Sequence, residues 1–223
     1  MAFAVADALV DDDLRTLAAA SAALRLVVAG SGLAIGIPAL HGLAPSKAAT
    51  ALPPARGARA VISGSCSAAT QAQVAAFQSL GGEAFAIDPL QLAAGVDLAA
   101  QALAWAGPRL GRAPVLVYAT AAPDAVRAVQ LQLGAQRAGA LVEAALARVA
   151  VGLVAAGVGQ LLVAGGETSG ACVQALGITQ LRIGPQIDPG VPWCHVSSTA
   201  LHLALKSGNF GGVDFFHRAF DIL

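Results

Sequence analysis

The stretch Val163-Ala164-Gly165-Gly166-Glu167-Thr168-Ser169-Gly170 decides the fold that this sequence predicts. An apolar, β-type segment from Leu161 to Ala164 stops at two glycines, and a helix-compatible segment, Ala171 to Leu176, follows. A glycine-led turn from a strand into a helix leaves backbone N–H groups unpaired at the positive end of the helix, where phosphate binds. Glycine also lets a polyphosphate approach the main chain, because no Cβ stands in the way. We therefore expect a phosphate site here, although a plain structural connection has the same letters.

Two further apolar segments break into loops of small residues in the same way. Ala60 to Ser63 runs into Gly64-Ser65-Cys66-Ser67, and Ala200 to Leu205 runs into Lys206-Ser207-Gly208-Asn209-Phe210-Gly211-Gly212. Loops at the carboxyl ends of strands in an α/β sheet gather in one crevice. The three breaks therefore predict one shared nucleotide site.

The rest of the chain from Ala60 onward alternates β-type and helical segments. This alternation predicts a layered α/β fold, with helices flanking a mixed, mostly parallel sheet. The predicted strands before Gly177 are 60–63, 84–87, 115–119 and the segment at Leu161, and the predicted helices are 68–80, 89–110 and 138–155. After Gly177 the pattern is β-rich, with strands expected at 179–183, 193–196 and 200–205 and a final helix from about Val213.

The first part of the chain has a different pattern. Residues 7–23 predict a helix, with Asp11, Asp12 and Asp13 in its first turns, and residues 24–29 predict a strand. The three carboxylates could bind a metal, but carboxylates near a helix start are more often partners of the helix dipole. A polar, proline-rich passage from His41 to Gly57 marks a linker. We expect a domain boundary near residue 55, which gives two parts, 1–55 and 56–223.

Composition excludes several classes of protein. The chain has 223 residues, of which 57% are hydrophobic and 12% charged, with 13 basic and 13 acidic side chains. Nucleic-acid binding usually needs a positive patch, and no basic run is present. The longest uncharged stretch, Val149 to Gly166, is interrupted by glycines, so we interpret it as a helix end and a buried strand rather than a membrane span. Three widely spaced cysteines and the absence of a secretion signal favour a reducing cytoplasm.

Several side chains could carry the chemistry of a nucleotide site. Glu167 could bind a ribose or a magnesium-bound water, or simply start a helix, and Lys206 could neutralise phosphate, although a lysine at a strand end is usually solvated. Ser65 suits a ligand contact, while its neighbour Ser67 is the better helix cap. Gly208 would let the backbone close over the nucleotide. The sequence has no P-loop pattern, so the phosphates would be bound by another arrangement.

Other reactive residues favour structural roles. Cys66 could be a nucleophile, but no histidine is placed beside it by a motif, and a small buried thiol is the commoner case. The four histidines form no metal-ligand spacing, and His195 and His202 are expected to lie far apart along their β-type segments. We expect no metal site built by the protein. Asp188 could order a magnesium ion, but an Asp-Pro-Gly turn explains it as well.

Four ordered segments resemble the carboxy-terminal, nucleotide-binding half of the four-carbon acid sugar kinases: 64–77, 163–177, 183–193 and 203–212. Within that family, KSGNFGG at 206–212 followed by Asp214-Phe215-Phe216 is most similar to the 3-oxo-tetronate kinases. The similarity extends from about Asp7 to the end. Members of the family have an additional amino-terminal domain that binds the acid sugar, so the resemblance implies that residues 1–55 are the remnant of that domain plus a linker.

The resemblance also implies a function and a set of contacts. It implies ATP and Mg²⁺ as cofactors, with ATP contacts at Ser65, Gly165, Gly166, Glu167, Thr168 and Gly208. The whole enzyme would phosphorylate the terminal hydroxyl of a four-carbon acid sugar, and this chain alone would bind nucleotide with weak or no turnover. Its partners would be the nucleotide and the acid sugar, and an exposed face could support a homo-oligomer. The alternative is a non-catalytic α/β binding or interaction module, whose alanine-rich surface of low charge would bind a partner.

Overall fold

A computed structural model describes residues 4–223 of the chain. Its backbone contacts divide the chain into two compact units, Met1–Ala48 and Ala49–Leu223. The helices of the first part are α1, Asp11–Ser21, α2, Ile37–Leu40, and α3, Lys47–Thr50, with a 3-10 turn at Ser31–Ile35. That residues 1–55 are the remnant of a preceding domain stays a prediction.

Helix α1 confirms the centre of the predicted helix 7–23, and its carboxylates lie at the helix start. The Asp13 carboxylate accepts hydrogen bonds from the backbone N–H groups of Leu9, at 2.8 Å, and Val10, at 3.0 Å, and these bonds lower the pKa of Asp13. The predicted strand 24–29 is wrong. These residues have no regular structure, and Leu24, Leu26 and Val28 are exposed. A strand needs a neighbouring strand for its N–H and C=O groups, and no strand of the described residues 4–223 pairs with this segment.

The second unit contains one sheet of seven strands in the order β2-β3-β1-β4-β7-β6-β5. The strands are β1, Ala58–Ser63; β2, Glu83–Ala86; β3, Val115–Tyr118; β4, Val158–Ala164; β5, Arg182–Asp188; β6, Val191–Val196; and β7, Leu201–Lys206. The helices are α4, Ala68–Ser79; α5, Pro89–Ala93; α6, Leu98–Ala106; α7, Pro123–Leu133; α8, Ala135–Ala155; α9, Gly166–Ala175; and α10, Phe215–Arg218. Two 3-10 turns, Gly107–Arg109 and Ala219–Ile222, complete the fold.

The sheet confirms the predicted mixed, mostly parallel α/β architecture. Strands β2, β3, β1, β4 and β7 pair in parallel, whereas β6 is antiparallel to both β7 and β5. The central strands are buried on both faces, which is why β1 and β4 are nearly continuous apolar runs. Strand β5 lies at the edge, where Pro185 is tolerated because its missing N–H costs the sheet no hydrogen bond.

Helices cover both faces of the sheet and form two core clusters. One cluster packs α6, α8 and α9 against the sheet, with Leu146 and Val149 of α8 fully buried. The other packs α4, α10 and the last 3-10 turn, where Trp193 is fully buried and its indole N–H donates to the Ala219 carbonyl at 2.7 Å. The apolar surface that these layers remove from water is the main force that holds the second unit together.

The predicted boundaries differ from the observed ones in three places. The region 89–110 contains two helices, because the chain turns at Gly95, which has a φ of +87°. The second helix, α6, is capped by Asp97, whose side chain accepts a hydrogen bond from the Ala100 N–H. Strand β5 starts three residues later than expected, at Arg182. Helix α7 was not expected, although Val126, Val129 and Leu133 lie at helical spacing, and none of its residues is buried.

Helix α8 is long and apolar enough to cross a membrane by length and composition alone. A core helix of a globular domain passes the same test, and α8 contributes Leu146, Val149 and Leu153 to the core of the second unit. Its buried face explains its apolar composition without a bilayer.

Candidate functional site

The three bends predicted to form one site do lie together. Strands β1, β4 and β7 are neighbours and parallel, so their carboxyl ends meet at one edge of the sheet. The backbone N–H of Ser65 donates to the Ala164 carbonyl at 3.2 Å, and that of Gly165 donates to the Lys206 carbonyl at 2.8 Å. Direct main-chain hydrogen bonds therefore join the first bend to the second and the second to the third.

Gly165 meets a strict steric and conformational requirement at the centre of this arrangement. Its φ is +126°, a value that side-chain-bearing residues rarely adopt. A Cβ on Gly165 would lie 3.0 Å from the Thr168 hydroxyl oxygen and 3.1 Å from the Ser65 backbone nitrogen. Only glycine lets the first two bends approach each other this closely.

Helix α9 begins at Gly166, directly after the turn, and not at Ala171 as expected. Gly165 is its N-cap, and the first helical bond runs from the Ser169 N–H to the Gly165 carbonyl at 2.8 Å. Thr168 and Ser169 lie inside the first turn of α9 and are buried, so neither hydroxyl is its N-cap. The N–H groups at the start of α9 have no helical acceptor, as at any helix start, and they face the bends.

A cavity of about 990 Å³ opens beside the bends. Five of the six predicted ATP contacts line it: Ser65, Gly165, Gly166, Glu167 and Thr168. Gly208 does not line it but lies against it, since a Cβ on Gly208 would be 2.6 Å from the Ser65 hydroxyl oxygen. The bends therefore form one wall of a single pocket large enough for a nucleotide.

The opposite wall of the cavity is apolar and was missed by the sequence. It is formed by α7, the start of α8 and the ends of β2 and β3, with Ile87, Tyr118, Val126, Val129, Ala138 and Val142 among its residues. An apolar wall facing a ring of main-chain donors suits a ligand with a flat ring at one end and charge at the other. The apolar positions Val126, Val129 and Leu133 of α7 lie at helical spacing, and this pattern is the signal that could have found the wall.

The three serines of the first bend have distinct roles. The Ser67 hydroxyl accepts from the Thr70 N–H at 3.2 Å, which confirms it as the cap of α4, and it donates to the Gly208 carbonyl at 2.6 Å. Ser63 is fully buried, with its hydroxyl 2.7 Å from that of Thr120. Of the three, Ser65 lines the cavity.

Lys206 is not solvated, contrary to the usual case for a lysine at a strand end. Its side chain is fully buried, and its ammonium group donates to the Thr70 hydroxyl at 3.0 Å and to the carbonyls of Ser207 and Gly208 at 3.1 and 3.0 Å. Burial lowers the pKa of Lys206 to about 8. The ammonium group therefore holds the main chain of the third bend in place from its buried side.

The rest of that glycine-rich loop is held by two side chains, Gln73 and Asp188, in roles that the sequence did not predict. The buried Gln73 amide donates to the carbonyls of Phe210, Gly211 and Gly212, each at 3.0 Å. A glutamine within an alanine-rich helix carries no local sign of this role, because the loop it holds lies far along the sequence.

Asp188 holds the far end of the same loop. Its carboxylate accepts from the Gly212 N–H at 3.0 Å and pairs with Arg218. Burial alone would raise the pKa of Asp188, but the hydrogen bonds from Arg218 and Gly212 outweigh burial and lower this pKa. The carboxylate is thus occupied by protein groups.

The histidines of β6 and β7 lie away from the bends, and the prediction that they are far apart is wrong. His195 and His202 are cross-strand partners on β6 and β7, with ring centroids 5.0 Å apart, because the reversal after Val196 brings them together. They lie toward the edge of the sheet opposite the bends. Among residues 4–223, no group of three or more His, Cys, Asp or Glu side chains could hold a metal ion. Cys66 is half-buried and lines the cavity, whereas burial raises the pKa of the Cys172 thiol to about 12.

Comparison with known proteins adds to this geometry. The family model described as "Nucleotide-binding C-terminal domain" matches residues 60–216. The 3-oxo-tetronate kinase of Pseudomonas fluorescens is 54% identical over 98% of this chain and 51% of the relative. That of Burkholderia multivorans is 53% identical over 97% of this chain and 51% of the relative. The chain therefore spans about half the length of the curated relatives it matches.

A solved structure supports the same relationship. The crystal structure of a Haemophilus influenzae protein of the DUF1537 family model has a TM-score of 0.77 and 40% identity to this chain. It covers 97% of this chain, which in turn covers 52% of that protein. The similarity extends over the whole fold and is not confined to the bends.

Proposed function

The chain belongs to the family of nucleotide-binding C-terminal domains, and from that membership we propose that it is the ATP-binding half of a sugar-acid kinase. The complete enzyme would transfer the terminal phosphoryl group of ATP to the terminal hydroxyl of a four-carbon acid sugar, 3-oxo-tetronate or a related tetronate. The relatives named 3-oxo-tetronate kinase support this substrate class. Because the chain spans about half of those relatives, the acid-sugar ligands and the catalytic base are expected on the other half.

One observation carries the proposal: the first two bends line one cavity of about 990 Å³, and the third bend packs against the first at Ser65. Phosphoryl transfer needs positioning and charge stabilisation more than covalent help from the protein. Main-chain N–H groups that are fixed in advance supply both at no further entropic cost. The phosphates would lie against Ser65, Gly165, Gly166 and Thr168, and the base against the apolar wall formed by α7 and α8.

Glycine positions support the fit of a triphosphate. A side chain on Gly165 would fill the space between the first two bends, and one on Gly208 would displace the Ser65 hydroxyl. Both glycines therefore keep main-chain groups accessible where the phosphates would bind. Ser65 and Gly208 would contact the same end of the nucleotide.

A magnesium ion fits this site only with help from the nucleotide. The carboxylates that line the cavity are those of Glu167 and Asp88. Asp88 already caps α5, since its carboxylate accepts from the Leu90 N–H at 2.8 Å. Glu167 is exposed in the first turn of α9 and is the more available ligand, directly or through water. When bound, Mg²⁺ neutralises charge on the phosphates, and phosphate oxygens and waters would complete its coordination.

The remaining expectations are part of the same proposal. We expect small-molecule partners only, without nucleic acid or membrane, and a cytoplasmic location. Residues 1–55 would be the end of the acid-sugar domain and its linker. Self-association of the chain is expected to use surface that the other half of the enzyme would cover.

Calorimetric titration of Mg–ADP and Mg–ATP into the chain tests the proposal. We expect saturable binding at micromolar to millimolar concentrations. Ser65→Ala should weaken it roughly tenfold, because one hydrogen bond to a charged group is lost. Ser79→Ala is the matched control: Ser79 is exposed at the end of α4, where its hydroxyl bonds only the Ala76 carbonyl.

Two results would contradict the proposal or the place it gives to the nucleotide. Absence of heat at millimolar nucleotide would contradict the proposal and leave the alternative of an interaction module without nucleotide. If Ser65→Ala and Ser79→Ala bind as the unmodified chain does, nucleotide binds but not at the bends.

A further inference from the structure

Lys206 ends β7 and contacts the three bends through two different groups, its main-chain carbonyl and its buried ammonium group. Its main-chain carbonyl accepts from the Gly165 N–H at 2.8 Å. Its side chain donates to the Gly208 carbonyl at 3.0 Å, and the Ser67 hydroxyl donates to that same carbonyl at 2.6 Å. Lys206 is therefore the residue that links the turn before α9, the cap of α4 and the glycine-rich loop.

The charge of Lys206 has no protein counter-charge. Within residues 4–223 its hydrogen-bond acceptors are all neutral, one hydroxyl and two carbonyls, and it forms no ion pair. Several titratable groups lie on the described elements next to β7, α4 and the loop: Cys66, Glu167, Cys172, Asp188, Cys194, His195, His202, Asp214, His217 and Arg218. None of these groups is hydrogen-bonded to the ammonium group, and the Asp188 carboxylate is occupied by Arg218 and Gly212.

The start of helix α4 is a second source of positive charge near the Gly208 carbonyl. Helix α4 has 12 residues and begins immediately after Ser67, and its third residue, Thr70, donates its hydroxyl to the Gly208 carbonyl at 2.8 Å. The partial positive charge of a helix start thus adds to the ammonium group. A buried, uncompensated charge is costly. Such an arrangement persists where a ligand of opposite charge completes it.

We propose that Lys206 is a positioning residue of the nucleotide site and that the bound phosphates, not a protein carboxylate, balance its charge. The ammonium group fixes the Gly208 carbonyl, and Gly208 in turn limits where the Ser65 hydroxyl can lie. This inference rests on the proposed function, because it requires nucleotide to bind at the bends.

The proposal has a consequence that a purely structural lysine would not have. Burial lowers the pKa of Lys206 to about 8 in the free protein. Phosphates beside it favour the protonated form and raise that pKa. Nucleotide binding well above pH 8 must therefore take up a proton, whereas binding at pH 7 takes up almost none. The uptake at pH 9 does not come from ADP itself, because a terminal phosphate with a pKa of about 6 is fully deprotonated there.

The test is calorimetry of Mg–ADP binding to the whole chain at about pH 7 and pH 9, in two buffers with different ionisation enthalpies. For the unmodified chain we expect proton uptake of roughly 0.9 per site at pH 9 and about 0.1 at pH 7, if the bound pKa is well above 9. Lys206→Arg should bind without uptake at either pH, because an arginine stays charged. Lys206→Met should bind roughly tenfold more weakly, also without uptake.

Arg148→Met is the matched control, because it removes one partly exposed cation that pairs with Asp97 on the surface. It should keep both the affinity and the uptake. The inference is wrong if the unmodified chain binds Mg–ADP at pH 9 without taking up a proton, or if Lys206→Met binds as tightly as the unmodified chain.

Two further outcomes separate this inference from the proposed function. No binding by the unmodified chain at either pH would overturn the proposed function itself. If Lys206→Met does not fold, Lys206→Arg decides, since uptake that persists in that variant must come from another group and would overturn the inference alone.

Discussion

The two walls of the cavity are built in opposite ways. The wall of bends is cross-linked, with the loop at 207–212 held by Gln73, Thr70, Lys206 and Asp188. In the apolar wall, helix α7 has no buried residue, no side-chain cap at its start and a turn at Gly134, with a φ of +80°, at its end. The phosphate side is thus fixed before a ligand arrives, while the base side can adjust to it. Charge needs fixed dipoles, whereas a flat apolar ring tolerates a softer surface.

Substitution of Gln73 should have the largest effect, because it removes the main support of the fixed wall. Gln73→Leu leaves three loop carbonyls without their donor and should lower the free energy of unfolding by about 3 to 4 kcal/mol. Urea denaturation measures the loss. Gln78→Leu, on the exposed face of the same helix, should change it by less than about 0.5 kcal/mol. Equal effects of the two variants would mean that the loop is not held from α4.

The pH dependence of stability should show the cost of burying Lys206. Its pKa is about 8 in the folded chain against 10.5 unperturbed. Between these values the unfolded chain binds more protons, so stability rises with pH across this window. Integrated over it, the gain from this group is on the order of 2 to 3 kcal/mol. Denaturation from pH 7.5 to 10.5 measures it, with Lys206→Met as the reference that lacks this rise. If Lys206→Met shows a rise in stability of the same size, the rise comes from other titratable groups.

A methyl group at Gly208 should weaken the phosphate wall more mildly. Gly208→Ala brings a Cβ to 2.6 Å from the Ser65 hydroxyl oxygen, which must move away. We expect roughly tenfold weaker binding of Mg–ADP, because one charge-assisted contact is lost. Gly170→Ala on α9 is the control, since a Cβ there meets nothing within 4 Å. Unchanged affinity of Gly208→Ala for Mg–ADP would mean that the third bend is not part of the nucleotide site.

Truncation of the α7 wall should have the smallest effect. The double variant Val126→Ala and Val129→Ala removes apolar surface that faces the cavity. Mg–ADP should bind about threefold more weakly, while inorganic tripolyphosphate, which has no base, should bind unchanged. Leu131→Ala, on the same helix and 88% exposed, should leave both ligands unaffected. An equal loss for tripolyphosphate would show that α7 does not face the base.

The bends and the apolar wall also differ in how well the sequence predicts them. Glycine and small polar residues after an apolar run are a local signal, so the bends at Ser65, Gly165 and Gly208 were found, and the sheet explains why they meet. The supports of the bends were not found, because Thr70 and Gln73 contact residues 136 to 139 positions away. Nothing near Lys206 in sequence shows that α4 will cover it.

Other errors have the same origin in distant contacts. His195 and His202 were expected to lie far apart because the register of the β6–β7 pair depends on where the turn between the strands falls. The apolar residues 24–29 have the letters of a strand, but a strand exists only beside another. Helix α7 was missed for a different reason: its apolar residues Val126, Val129 and Leu133 have helical spacing, but they face α5, α8 and the cavity and none of them is buried.

The bond between the Ser67 hydroxyl and the Gly208 carbonyl joins positions 141 residues apart. Closing a loop of this length costs entropy before any contact repays it, so the bond is expected to form late, after the sheet between its ends has been assembled. An incompletely folded chain would therefore have helices and several strands but no competent pocket. The fraction of chains that bind ligand therefore reports the fraction that has completed folding.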